Sequence, residues 1–186
     1  PIKKFLFTSS AAVYGNAADF PKTEDSHVDP LTPYAIDKYA SERYTVDFGR
    51  LYNIPTVAVR FFNVYGPRQN PNSEYSGVLS IVTKCLKEDK PFTLYGDGSQ
   101  TRDFVYVEDV VDALVKISTE TNEPTVYNIA NGDETQVLFC AQGSINGNDQ
   151  RRLMILINVC QSRAQVHRVY RRFQRSIQGG SGQTAA

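Results

Sequence analysis

The sequence predicts an α/β chain organised on a parallel sheet, and three segments carry that prediction. Lys4 to Ser10 is a short apolar run ending in hydroxyls. Pro33 to about Leu51 repeats its apolar residues at three- to four-residue steps, and Thr56 to Phe62 is dense in β-branched and aromatic side chains. Strand, helix and strand in that order make a βαβ unit, whose two strands run parallel. Of 186 residues, 41% are apolar and 22% charged, which suits one ordinary folded domain with a sizeable core and excludes a fibrous chain.

The first strand, Lys4 to Ser10, delivers Ser9 and Ser10 at its C-terminal end, the edge of an open parallel sheet where ligands bind. Asn16 to Leu31 is an irregular, proline-punctuated loop too long for a mere connection, and so a functional candidate. In the helix that follows, Ile36, Ala40, Tyr44, Phe48 and Leu51 read as the core face, and Asn53-Ile54-Pro55 ends it. Thr56 to Phe62 is the second strand, closed by Asn63. After the polar loop Gly66 to Ser73, Gly77 to Asp89 reads as an amphipathic helix, Phe92 to Tyr95 as a short strand and Gly96 to Arg102 as a tight turn. Asp103 to Val107 is a strand, Glu108-Asp109 open a helix to about Thr119, and Thr125 to Ile129 is the last strand.

Chemistry is concentrated at Thr32-Pro33-Tyr34-Ala35-Ile36-Asp37-Lys38. Thr32 suits the N-cap, since its hydroxyl accepts a free backbone N–H, and Pro33 suits the first helical position. Tyr34 and Lys38 then stand at i and i+4 on one face, where an ammonium favours phenolate over phenol and makes the tyrosine a candidate general base. The bland alternative is a surface tyrosine and lysine on a helix. Ser9 and Ser10 likewise read as strand-end serines, Asn63 as a turn residue and Arg102-Asp103 as a surface ion pair unless a wider pattern joins them.

Other features bound the setting. No apolar run approaches the roughly 18 residues that span a bilayer, and the chain opens Pro1-Ile2-Lys3-Lys4 without a signal peptide. Cys85, Cys140 and Cys160 are odd in number and far apart, suiting neither a disulfide framework nor a zinc site, so a cytoplasmic setting and no metal are expected. The start at Pro1 suggests a piece of something longer. Residues 1–136 hold 13 Lys+Arg against 19 Asp+Glu, whereas 137–186 hold 7 against 1 and no lysine. That compositional break sets off a basic tail.

Four blocks resemble the extended short-chain dehydrogenase/reductase family, in particular the nucleotide-sugar 4-epimerases. They are Thr8-Ser9-Ser10-Ala11-Ala12-Val13-Tyr14-Gly15, Pro33-Tyr34-Ala35-Ile36-Asp37-Lys38, Arg60 through Arg68, and Gly96 through Asp109. The resemblance implies the second half of a Rossmann-like parallel sheet with part of a substrate-binding lobe. It implies NAD as cofactor and inversion of C4 of a UDP-sugar through a transient 4-keto intermediate. Tyr34 would be the catalytic base, Lys38 would hold the nicotinamide ribose, and Ser10 would hydrogen-bond the sugar hydroxyl. Phe62 would pass beside the nicotinamide, so Ser10, Tyr34, Lys38 and Phe62 form the expected cofactor-facing set. Asn63 and Arg102 would grip the substrate diphosphate, an arginine fork matching phosphate oxygens. The segments Asn70 to Ser73 and Tyr75 to Val78 resemble members acting on UDP-glucose or UDP-N-acetylglucosamine, and place Val78 with the substrate-binding positions. Sugar-nucleotide 4,6-dehydratases carry Asp-Glu after the serine where this chain has Ala11-Ala12, which favours epimerase over dehydratase.

Two departures qualify the resemblance. The glycine-rich strand-to-helix turn that would hold the NAD pyrophosphate is absent, and Gly179-Gly180-Ser181-Gly182 does not replace it. The isolated chain is therefore expected to bind NAD poorly and to be inactive. Family likeness covers 1–135 and stops at the tail, 136–186, which reads either as an out-of-frame end or as a basic amphipathic helix. Such a helix would dock on nucleic acid, membrane or an acidic partner. The chain is then a non-catalytic fragment or binding module. For the intact protein the expectations are a homodimer, no membrane, and no nucleic acid except through the tail.

Overall fold

The computed structural model of the chain describes residues 2–73, 76–88, 90–91, 93 and 99–136. In chain order the elements are β1 (Phe5–Ser10), a 3-10 turn (Ala11–Tyr14), α1 (Pro33–Tyr52), β2 (Thr56–Phe61), β3 (Asn63–Tyr65) and α2 (Val78–Lys87). Then come β4 (Thr101–Arg102), β5 (Phe104–Tyr106), α3 (Val107–Glu120), β6 (Thr125–Ile129) and β7 (Thr135–Gln136). They fall into two compact units. One comprises Pro1–Phe62 with Glu108–Ala130, the other Asn63–Val107 with the chain from Asn131.

The first unit is the α/β part. Its sheet has the order β1-β2-β6, with β1 parallel to β2 from Phe5↔Thr56 to Ser10↔Phe61, and β2 parallel to β6 from Val57↔Thr125 to Phe61↔Ile129. The β-branched run in β2 is explained by its central place: Val57, Ala58 and Val59 are wholly buried, as a parallel strand covered on both faces requires. Val46 of α1 and Ile117 of α3 are buried in the same core. Lys4 Nζ donates to the carbonyl of Ile117 at 3.0 Å, a cation on a carbonyl in the last turn of α3.

Helix α1 begins as its sequence dictates. Thr32 is the N-cap in extended backbone, its Oγ1 accepts from Ala35 N at 3.2 Å, and Pro33 takes the first turn. Asn53, left-handed at φ 52°, ends it with its N–H on the carbonyl of Gly49. The face it buries is not the one its bulk suggests. Ile36, Ala40, Tyr44, Phe48 and Leu51 are exposed, and the buried residues are Ala35, Glu42, Thr45, Val46 and Gly49. The reason is close approach to the sheet: a Cβ on Gly49 would lie 2.0 Å from Thr56 Oγ1, so a larger residue would have to push the Thr56 side chain aside.

In the second unit β3 runs parallel to β5, with Asn63↔Phe104 and Tyr65↔Tyr106, while β4 and β7 form a short antiparallel pair. Asn63 thus opens a strand rather than closing one. The predicted strand over 56–62 is interrupted at Phe62, whose N–H goes to Ile129 O at 3.1 Å before Asn63 N–H turns to Asp103 O at 3.0 Å. Arg102, expected in a turn, lies in β4. The carboxylate of Asp103 accepts from the backbone N–H groups of Asn131 and Gly132 at 2.7 and 2.6 Å, so it serves a turn within this unit. The expected strand Phe92 to Tyr95 falls almost wholly outside the described residues, as do residues 137–186 of the tail.

Candidate active site

The C-terminal end of β1 and the first turn of α1 bring the leading candidates into one unit. Side chains alternate along β1, so Ser9 is buried at 3% exposure while Ser10 is only partly covered. Ser10 also caps the 3-10 turn: its Oγ accepts from Ala12 N at 3.2 Å. That bond uses an oxygen lone pair and leaves the hydroxyl proton to be donated.

Tyr34, in the first turn of α1, is 43% exposed. Lys38 stands one turn further on. Its ammonium donates to the carbonyl of Thr8 in β1 at 2.8 Å and lies 5.8 Å from the centre of the Tyr34 ring and 5.2 Å from that of Phe7. A lysine that only decorated a helix would keep its head in water. This one is turned back on the strand that carries Ser10, and it retains further N–H donors. Phe62 belongs to the same unit, its ring 6.3 Å from that of Tyr14.

The expected substrate-binding residues belong to the other unit. Asn63 donates from Nδ2 to Asp103 O at 2.9 Å, Val78 is the first residue of α2, and Arg102 is exposed with Nη1 on its neighbour's carbonyl, Thr101 O, at 2.7 Å. α2 and the loop after β3 line an open cavity of about 620 Å³, bordered by Tyr65, Gln69, Leu79, Thr83, Lys84 and Tyr106 among others.

Sequence reasoning missed the most heavily bonded side chains near the site. Arg60, next to last in β2, is 4% exposed and holds the buried carboxylate of Glu42 with its fork, Nε to Oε2 at 3.0 Å and Nη2 to Oε1 at 2.5 Å. Its remaining nitrogen, Nη1, donates to Tyr14 Oη at 2.8 Å and to Glu24 O at 3.2 Å. Burial works against the guanidinium's charge, but the bonds to Glu42 and Tyr14 outweigh it and hold the pKa above the usual arginine range. Burial also raises the Tyr14 phenol, against the lowering effect of Arg60. The signal was present: an arginine inside an apolar strand must be paired, because an isolated buried charge is too costly.

The sequence profile of the NAD dependent epimerase/dehydratase family matches residues 1–130. A putative UDP-glucose 4-epimerase from Methanocaldococcus jannaschii is 45% identical over 138 residues, 73% of this chain and 44% of that protein. The dTDP-D-glucose 4,6-dehydratase of Bos taurus is 33% identical over 141 residues, 76% of this chain and 39% of that protein. Among solved structures, the UDP-N-acetylglucosamine 4-epimerase from Methanobrevibacter ruminantium, in complex with UDP-N-acetylmuramic acid, superposes with a TM-score of 0.72 at 37% identity. That superposition covers 76% of this chain and 46% of that one. The chain thus spans less than half the length of the relatives it matches.

Proposed function

The chain belongs to the NAD dependent epimerase/dehydratase family, and on that premise we propose that the protein containing it is an NAD-dependent epimerase inverting C4 of a UDP-sugar. The residues of this chain fit the nicotinamide-ribose end of the cofactor. Lys38 is held by Thr8 O beside Tyr34 with N–H donors to spare for ribose hydroxyls, and Phe62 belongs to the same unit. The chain supplies no glycine-rich turn for the pyrophosphate. Bound NAD would supply the acceptance and return of a hydride.

The protein's part is proton transfer and grip. Tyr34 takes the proton of the C4 hydroxyl on its phenolic oxygen, with the Lys38 ammonium 5.8 Å from the ring centre. Ser10 donates its hydroxyl proton to the same oxygen and orients it. In the return direction Tyr34 gives the proton back to the oxygen of the transient 4-ketone. Inversion requires that ketone to present its other face, so the sugar is held loosely while Asn63, Val78 and Arg102 hold the UDP end. Arg102 is suited to phosphate oxygens by its planar donor fork.

The observation that carries this reading is the bond from Lys38 to Thr8 O, which ties the lysine beside Tyr34 to the strand ending at Ser10. The dehydratase reading is weaker. Water elimination needs a proton donor beside the serine, and the turn after Ser10 offers Ala11 and Ala12. UDP-glucose and UDP-N-acetylglucosamine are the substrates to test. We further propose a cytoplasmic homodimer whose contact is the exposed apolar stripe of α1. Among the described residues, no helix is long and apolar enough to cross a membrane.

The test is to incubate the complete polypeptide that contains these residues with NAD and each UDP-sugar, and to follow the C4 epimer. Epimer from the wild type, formed about 10²- to 10⁴-fold more slowly by Tyr34→Phe, supports the reading. A wild type that forms no epimer, or forms a 4-keto-6-deoxy sugar instead, overturns it.

A further inference from the structure

The residues assigned to chemistry sit on two separate pieces of backbone, the strand end at Ser10 and the helix start at Tyr34 and Lys38, joined by the irregular loop 16–31. One buried side chain reaches both pieces. Arg60 bonds Tyr14, the last residue of the 3-10 turn that Ser10 caps. It also bonds Glu42, one turn beyond Lys38 on the same face of α1. The guanidinium, on a residue 4% exposed, therefore links the two carriers of the reacting groups from inside the protein.

The same centre fastens the loop. Arg60 Nη1 donates to Glu24 O, and Tyr14 Oη lies 2.9 Å from Thr23 O and 2.7 Å from Asn128 Oδ1, its single proton going to one of them. Glu24 Oε1 accepts from the backbone N–H of Asn128 at 2.7 Å, which fastens the loop to β6. Asp29 N–H returns to Val13 O at 2.9 Å, just ahead of Thr32. Gly15, at φ 59°, has no room for a side chain, because a Cβ there would lie 2.0 Å from Asp29 O. Arg60 thus bonds the turn at Tyr14, the loop at Glu24 and α1 at Glu42, while the bond from Asp29 N–H to Val13 O ties the end of the loop to the turn directly.

We propose that Arg60, acting through Tyr14 and Glu42, is a positioning residue that sets the Ser10 turn against the Tyr34–Lys38 helix. It touches no substrate. Its effect is on the geometry of proton transfer, where a displacement of about 1 Å can cost about 100-fold in rate. Because the sugar nucleotide is gripped elsewhere, loss of this device lowers kcat and leaves KM nearly unchanged.

The inference rests on the epimerase reading, and three variants of the complete polypeptide test it. Tyr14→Phe keeps the ring and removes the hydroxyl that joins Arg60 to Asn128. Arg60→Lys keeps the charge but replaces the fork by one ammonium that cannot serve Tyr14 and both oxygens of Glu42. The paired Arg60→Met/Glu42→Leu removes both charges together, which keeps the folded state. All three are expected to melt as folded proteins and to lose about 10- to 100-fold in kcat, with KM for UDP-glucose within about twofold of wild type. A folded Tyr14→Phe and a folded paired variant with kcat within about twofold of wild type would overturn the inference while leaving the epimerase reading intact. An inactive wild type removes the reading, and this inference with it.

Discussion

At the residue scale the account turns on where Lys38 points. Its ammonium bonds Thr8 O and stands beside the Tyr34 ring, so replacing it by methionine removes both a tie to β1 and the charge beside the phenol. Tyr34→Phe is the cleaner probe. It removes the exchangeable proton of a partly exposed side chain, and we expect about 10²- to 10⁴-fold loss of epimerisation with little change in stability. Arg60 calls for the opposite expectation. Arg60→Met alone leaves Glu42, 1% exposed, as an uncompensated buried charge, and should destabilise the protein by about 3–5 kcal/mol in urea unfolding. Adding Glu42→Leu should recover most of that loss. Equal stability of the single and paired variants would show that the pair is not buried in solution. The Thr32 cap, the placing of Tyr34 and Lys38 one turn apart on α1, and Ser10 at the end of β1 were legible in the sequence because caps, i, i+4 spacing and apolar runs are local. The Arg60, Glu42 and Tyr14 cluster was not, since its members come together only when β2, α1 and the 3-10 turn pack.

At the element scale, α1 shows how periodicity misleads. Its bulky stripe follows helical spacing, yet the face against the sheet is the small and polar one, because Gly49 must let the helix approach Thr56. Gly49→Ala should cost about 1–3 kcal/mol by forcing Thr56 aside, and Thr56→Ala should restore part of it. The outward stripe places Tyr44 against Phe48, ring centres 6.0 Å apart, and Phe48 against Tyr52 at 5.5 Å, with Leu51 75% exposed. In the proposed homodimer this stripe would be the contact. On the homodimer proposal, Leu51→Glu should convert a dimer to a monomer in sedimentation velocity, and an unchanged sedimentation coefficient would contradict it. The strands were read within a residue at β1, β6 and the start of β2, where apolar runs are bounded by polar or proline residues. The division at Phe62 was not, because the residues on both sides favour extended backbone and only their partners, Ile129 and Asp103, separate them.

At the scale of the whole molecule, the family match ends at residue 130 and the chain spans 44% of its Methanocaldococcus jannaschii relative. The catalytic candidates lie in one unit and the expected diphosphate-binding residues in the other. On the proposed reading, the chain taken alone would offer NAD a ribose end without a glycine turn for its pyrophosphate. Calorimetry on it should find only weak NAD binding, and a micromolar Kd would contradict that expectation. The most direct test of the central claim follows the hydrogen at C4. UDP-glucose carrying deuterium at C4 is given to the complete polypeptide with NAD, and the product is read by NMR. An epimerase that removes and returns that hydrogen within one closed site yields UDP-galactose with the deuterium still on C4. Deuterium lost to water or found at another carbon would contradict the account.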